Sequence, residues 1–304
     1  MKRKFTSLFL SILVSLASTY LGAASGIISA ETGGYINVLT DTFDIQINLT
    51  GGDIEYLAFP SIPINFYTPE QPFVAFENNV NRHFIAQSGL AGPNGPDSQE
   101  RRPVYTTTKK DFFLTGDTLN VDLFIDQNGV RYRKTFGFQR GEYVIDVSYT
   151  IENNTDSDWV GNIFGQFKRD NTPDPTSPGG IIKNPYRSFA RTTADTRFEK
   201  ITFEMIDNGV GNYSNTGGWI AFVQHYFVTA WVPNKSDIHT FYLKTASNNQ
   251  YRGGFVAPNM TVQPRGIGKL SARIYAGPKN KERLALVAEN LELSVESEEF
   301  YEQK

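Results

Sequence analysis

Apolar residues recur at every second position through most of the chain from Gly33 onward. Tyr35 to Leu39 and Phe43 to Leu49 alternate in this way, and Thr50-Gly51-Gly52-Asp53 turns the chain into Ile54 to Leu57. A period of two sends one set of side chains to a core and the other away from it, which is the mark of a β-strand. The pattern returns at Phe112 to Leu114, Leu119 to Ile125, Val130 to Phe138, Tyr143 to Ile151, Phe198 to Phe203, Phe241 to Leu243 and Gly268 to Tyr275. Asn128-Gly129 between two of these runs predicts a tight hairpin. Gly89 to Arg102 and Asn171 to Pro185 are rich in Gly and Pro and are expected to be loops. Closely spaced turns of this kind predict a large all-β sandwich or barrel.

One run departs from simple alternation. From Trp219 to Val232 only Gln224, His225 and Thr229 interrupt an apolar sequence that opens on Gly217-Gly218 and stops at Pro233. It falls short of the roughly 20 apolar residues that cross a bilayer. Its β-branched and aromatic content favours strand over helix. Parity puts Trp219, Ala221, Val223, His225, Phe227 and Trp231 on one face and Ile220, Phe222, Gln224, Tyr226, Val228 and Val232 on the other. Both faces are apolar, so the segment is expected between two packed layers, bent near Gln224-His225.

Two segments are not β. Lys279 to Leu291, after Gly277-Pro278, reads as a helix with Leu284, Val287 and Leu291 on one face, and it is expected on the rim of the β body. At the other end, Lys2-Arg3-Lys4 precedes an apolar stretch from Phe5 to Leu21 and the small residues Gly22-Ala23-Ala24-Ser25. That order describes an export signal, cleaved or kept as an anchor. The expected organisation is therefore a signal peptide or anchor over 1–24, a β domain over 33–278, and a helix with an acidic tail over 279–304.

Composition narrows the chemistry. The chain has 304 residues, no cysteine and a formal net charge of −3. Disulfides and thiolate catalysis are thus excluded, and the charge balance does not point to nucleic acid. Its histidines are His83, His225 and His239, none with a carboxylate at a suggestive spacing. His225 in the apolar run reads as a structural histidine. No phosphate loop, His-x-x-x-His pair or Gly-x-Ser-x-Gly elbow occurs. Asp44, Asp53, Asp122 and Asp146 fall at polar positions of alternating strands and read as solvated. The clusters Arg101-Arg102, Lys109-Lys110 and Arg131-Tyr132-Arg133-Lys134 read as outward strand positions. The residues alone describe an exported β protein that is not an enzyme and needs no cofactor.

The ordered pieces also resemble a known family. Gly217-Gly218-Trp219, Gln224, Tyr226 and Trp231 follow the signature of the periplasmic domain of the bacterial membrane protein insertase YidC. Thr40 to Glu55 is similar to its first hairpin, and Gln87-Ser88-Gly89-Leu90 through Asp97 to its Gln-Ser-Gly-Leu loop. Lys134-Thr135-Phe136, Arg140-Gly141-Glu142-Tyr143, Gly165-Gln166 and Gly277-Pro278 follow in order. The resemblance runs from about Gly33 to Val295. It implies a β-supersandwich related to galactose mutarotase with a short C-terminal helix. It further implies a chaperone-like role in inserting and folding inner-membrane proteins, in the periplasm or anchored to the inner membrane, with nascent membrane proteins and the Sec translocon subunit SecF as partners. Gly217, Gly218, Trp219, Gln224, Tyr226 and Trp231 are signature residues, for packing or for a partner.

A full insertase continues into several transmembrane helices that carry its groove. No counterpart of those spans is read in these 304 residues, so the expectation is a truncated relative without a groove of its own. It would be part of a split insertase or a stand-alone holding protein. The alternative is a periplasmic carbohydrate-binding or aldose-epimerase-like protein on the same fold. Such enzymes need paired histidines as acid and a glutamate as base.

Overall fold

The computed structural model describes residues 28–29, 34–65, 67–98, 101–173 and 187–296. The export segment 1–24, most of the loop before Pro185 and the tail beyond Glu296 lie outside the described residues. Two sheets, almost wholly antiparallel, face each other. One has ten strands and begins at Ile28–Ser29, paired with Thr106–Thr107. Its centre is formed by Val130–Gln139, Val144–Asn153, Ile267–Pro278 and Phe227–Pro233. The other has eleven strands, with Gln250–Val256, Trp159–Arg169 and His83–Ala91 at its middle. The expected sandwich is present, and Asn128 and Gly129 take the left-handed conformation that their hairpin requires.

The core between the sheets is aromatic. Phe59, Phe73 and Phe227 form a cluster of near-parallel rings, with Phe73 3.8 Å from Phe227 and 5.9 Å from Phe59. Full burial of a side chain of this size is worth about 1.5–3 kcal/mol. Trp231, 1% exposed, reaches from the smaller sheet onto the backbone of the larger at Gly165, where a Cβ would strike the indole.

The central run is a hairpin, not one bent strand. Ile220–Val223 pairs with Phe227–Pro233 so that Ile220 meets Trp231 and Val223 meets Val228. Even-numbered residues thus sit opposite odd-numbered ones, and the faces exchange across the turn. Ile220, Phe222, Phe227 and Trp231 line the inter-sheet core, while Trp219, Ala221, Val223, Val228, Ala230 and Val232 face outward. The single-strand parity fails for this reason. His225 lies half-buried in the turn rather than in an apolar face.

That outward face is covered by the C-terminal helix, which lies on the sheet and not on its rim. Leu284, Val287 and Leu291 close a second core over Trp219, Val228 and Tyr275. Asn280 caps the helix Lys281–Val287 by accepting from the Arg283 amide. Ala288, in extended conformation, breaks the expected continuous helix, and Asn290, in the left-handed region, precedes a short second one, Leu293–Glu296. Phe198 to Phe203 is likewise split: the strand Glu199–Ile201 is followed by a helix, Phe203–Asp207, capped by Thr202.

Candidate functional site

The signature residues do not converge on one site. Gly217 and Gly218 have φ of 62° and 84°, and a Cβ at Gly217 would press on the Lys235 backbone, so the turn into the hairpin demands glycine. Trp219 is buried under the helix, and Trp231 is buried on the opposite face of the same hairpin. Gln224, 2% exposed, leaves both side-chain amide atoms without a partner. Tyr226 is 60% exposed, while its carbonyl accepts from the Lys279 amide at 2.9 Å and ties the turn to the segment before the helix. Five of the six are thus accounted for by turn geometry or burial, and Tyr226 alone presents its side chain to solvent.

Polar groups gather elsewhere. Arg102 and Lys134, read from sequence as outward, are held inside. Lys134 points from the smaller sheet into the sandwich, where its side chain is fully buried. Its amine donates to the carbonyls of Gly51 (3.1 Å), Gly52 (2.7 Å) and Ser88 (3.2 Å). Arg102 spans two carboxylates, Asp53 and Asp97, and donates to Ser88 O at 2.9 Å. Asp53, expected in solvent, is 3% exposed, because Arg102 and Gln87 satisfy its oxygens. Burial pushes the Asp97 carboxyl up, to about 6, against the pull of Arg102. Burial holds the Lys134 amine below the ordinary lysine range, with Asp53 pulling it back up.

The expected loop from Gly89 is in part strand. His83–Ala91 carries Gln87-Ser88-Gly89-Leu90 through the middle of the larger sheet. Gly89 is bare because the Asp97 carboxylate occupies the space of its side chain and accepts from the Leu90 amide at 2.9 Å. The loop proper starts at Gly92.

From this clasp a hydrogen-bonded row crosses the outward face of the larger sheet. Gln87 donates to Asp53 at 2.7 Å, Gln166 donates to Gln87 at 2.9 Å, and Tyr242 donates to Gln166 at 2.8 Å. The phenol of Tyr242 lies across Gly254, whose Cβ would collide with it. Burial raises the Tyr242 phenol well above its ordinary range, against Arg252 and Arg102. Beside the row, Phe164 carries the Arg102 guanidinium over its ring at 5.4 Å. The row offers amide and phenol groups to a ligand, flanked by cations and an aromatic ring.

Acid–base chemistry of the epimerase kind finds no assembly here. His83 pairs with Asn78 on the larger sheet, His239 is buried against Phe255, and His225 lies in the hairpin turn. Among the described residues no cluster of three or more His, Asp or Glu could hold a metal. Nor, among them, is any helix long and apolar enough to cross a membrane. Sequence reading missed Gln87, Gln166, Tyr242, Arg102, Asp97 and Lys134 as a group; Gln87, Asp97, Lys134 and Gln166 stood in the family pieces, but as markers of order only.

Similarity to known proteins follows the same lines. The sequence matches the YidC periplasmic domain over residues 35–296, a span that includes the C-terminal helix. The membrane protein insertase YidC of Pseudomonas savastanoi pv. phaseolicola is 40% identical over 264 residues, and that of Pseudomonas fluorescens is 41% identical over 264. In both cases the match takes in 86% of this chain and 47% of the relative, so the chain spans about half the length of these relatives. Among solved structures, a galactose mutarotase related enzyme from Lactobacillus acidophilus superposes with a TM-score of 0.52 at 7% identity, covering 80% of this chain and 97% of its own. A galactose mutarotase-like protein from Clostridium acetobutylicum gives 0.50 at 8% identity, covering 78% and 93%. These likenesses are of fold alone and do not favour the epimerase alternative, whereas the sequence matches are to insertases. The chain belongs to the YidC periplasmic domain family.

Proposed function

We propose that this chain works in the periplasm as the exported sandwich of an insertase system and assists inner-membrane proteins as they insert and fold. The observation that carries this reading is the match to the YidC periplasmic domain across both sheets and the terminal helix. The Sec translocon, through SecF, is the proposed partner, and residues 1–24 are the proposed export signal or membrane anchor. Residues 33–278 form the proposed working domain, followed by the helix and acidic tail of 279–304.

Intact mass of the native protein from membrane and periplasmic fractions, followed by crosslinking in each, tests the reading. Crosslinks to translocon subunits and to newly made membrane proteins are expected. A species that crosslinks to neither, and whose Trp219 and Trp231 fluorescence responds to sugars, would replace it with the carbohydrate-binding alternative.

A further inference from the structure

On the outward face of the larger sheet three cations stand side by side. Lys168 is directly opposite Arg252, and Arg252 directly opposite Lys244, on three consecutive strands. The three residues face the same way as Gln166 and Tyr242, which lie two positions along their strands. Like charges in direct cross-strand positions repel and destabilise a sheet. Asp53 and Glu55 act on Lys168 against the repulsion of Arg252, but both carboxylates are held by other donors. Asp53 is taken by Arg102 and Gln87, and Glu55 accepts from Tyr35, Asn48 and Asn78. Among the described residues none of the three cations is in ion-pair contact with a carboxylate, and Arg252 Nε is buried without a partner. Lys244 rests over the Tyr242 ring at 5.2 Å. Lys168 and Arg252 are half-buried and Lys244 is exposed, so the stripe runs from a recess out to solvent.

The geometry points to this stripe as a docking surface for acidic, extended polypeptide segments, with the exported segments of membrane proteins as occupants. The stripe is about 10 Å long, the reach of a three- or four-residue extended stretch. Gln166, two positions along from Lys168, has one amide hydrogen beyond its bond to Gln87 and can donate to the backbone of such a stretch. Charge complementarity chooses the occupant. Loops of membrane proteins that stay in the cytoplasm hold the excess Lys and Arg, so exported loops are depleted of cations and are drawn to a cationic face. The inference rests on the insertase reading and adds the surface and the chemistry of what it holds.

The test uses the intact protein, a fluorescent peptide alternating Glu with apolar residues, and a counterpart with Lys in place of Glu. Anisotropy is expected to show binding of the Glu peptide that weakens steeply with salt, and little binding of the Lys peptide. Lys168→Gln, Arg252→Gln and Lys244→Gln together are expected to weaken it about tenfold or more, with a melting temperature no lower than that of the parent, since repulsion is removed. Equal binding by the triple variant, or binding only to phosphatidylglycerol vesicles, overturns the inference. A photo-crosslinker at exposed Thr240, on the same face and four positions along the strand from Lys244, separates this from the wider reading. Crosslinks to inserting proteins from other positions but not from Thr240 overturn the surface and leave the insertase role. Peptide binding with no insertion crosslinks anywhere keeps the surface and overturns the role.

Discussion

The indole of Trp219 donates to the main-chain oxygen of Glu289 at 2.9 Å, joining the hairpin of the smaller sheet to the chain just past the helix. Arg273 makes a second such tie, to the Val287 carbonyl at 2.7 Å. The Arg273 bond satisfies a carbonyl that the helix leaves open at its C-terminal end, and the Trp219 bond holds the chain that follows.

Trp219→Phe keeps most of the apolar area and removes the donor, and should cost about 1 kcal/mol. Trp219→Ala also opens a cavity under Leu284 and Leu291 and should cost about 3–5 kcal/mol. In the alanine variant, limited proteolysis should cut first within 281–296, ahead of the sheets. Uniform proteolysis of helix and sheets would show that the helix is not held through Trp219.

Lys134 carries a second prediction. Replacement by Met removes the side-chain donor to the Gly52 carbonyl, leaves those of Gly51 and Ser88 to Arg102, and leaves Arg102 as the one cation between Asp53 and Asp97. Removing one member of a buried charged network costs about 3–5 kcal/mol. Urea unfolding of Lys134→Met should show a loss of this size at unchanged slope. A loss below about 1 kcal/mol would mean that the amine contributes packing only.

Why the strands were easier to read than the clasp follows from these residues. Val130–Gln139 shows itself because its buried and outward positions alternate in hydrophobicity as well as in space. Trp159–Arg169 alternates as strictly in burial, yet two of its buried positions are glycine, kept bare by the rings of Trp159 and Trp231. Periodicity is blind to such sockets, and the same blindness made Gly89 look like loop. Lys134 occupies a position that alternation assigns to the core, but its charge argues against burial, and its acceptors lie more than 40 residues away. A local pattern has no access to partners at that distance. The hairpin faces failed for a different reason, since the length of one turn sets the parity of all that follows it.

Gly89 gives the sharpest steric test. A Cβ there would fall against the Asp97 carboxylate, which is fixed by Arg102 and the Leu90 amide. Gly89→Ala should destabilise by about 1–3 kcal/mol as an overpacked site. Gly116, with nothing in reach of a Cβ, is the control, and Gly116→Ala should stay within about 0.5 kcal/mol of the parent. Equal effects of the two substitutions in thermal unfolding would remove the steric role assigned to Asp97.

His239 predicts a pH dependence. Its Nε2 contacts the Asn234 carbonyl at 2.7 Å, which fixes the proton on that nitrogen, and Nδ1 is buried without a partner. The Phe255 ring stands edge-on to the imidazole at 5.7 Å. Protonation would place an unpaired N–H and a charge among aromatic rings. Burial accordingly holds the imidazole below the ordinary histidine value of 6.5, only partly opposed by the Asn234 carbonyl. A base with a depressed folded pKa binds less proton in the native chain than in the unfolded one. Its stabilising effect is therefore complete above about 6.5 and is lost as the pH falls through the window below it. His83 is lowered in the same direction and adds to the slope, so the comparison must be between variants. His239→Gln retains a donor for Asn234 and cannot take up the proton. Its stability from urea unfolding should fall less steeply than that of the parent between about pH 6.5 and 5. Parallel curves across that range would show that His239 takes up its proton equally in the folded and the unfolded chain, and would remove it as a contributor to acid sensitivity.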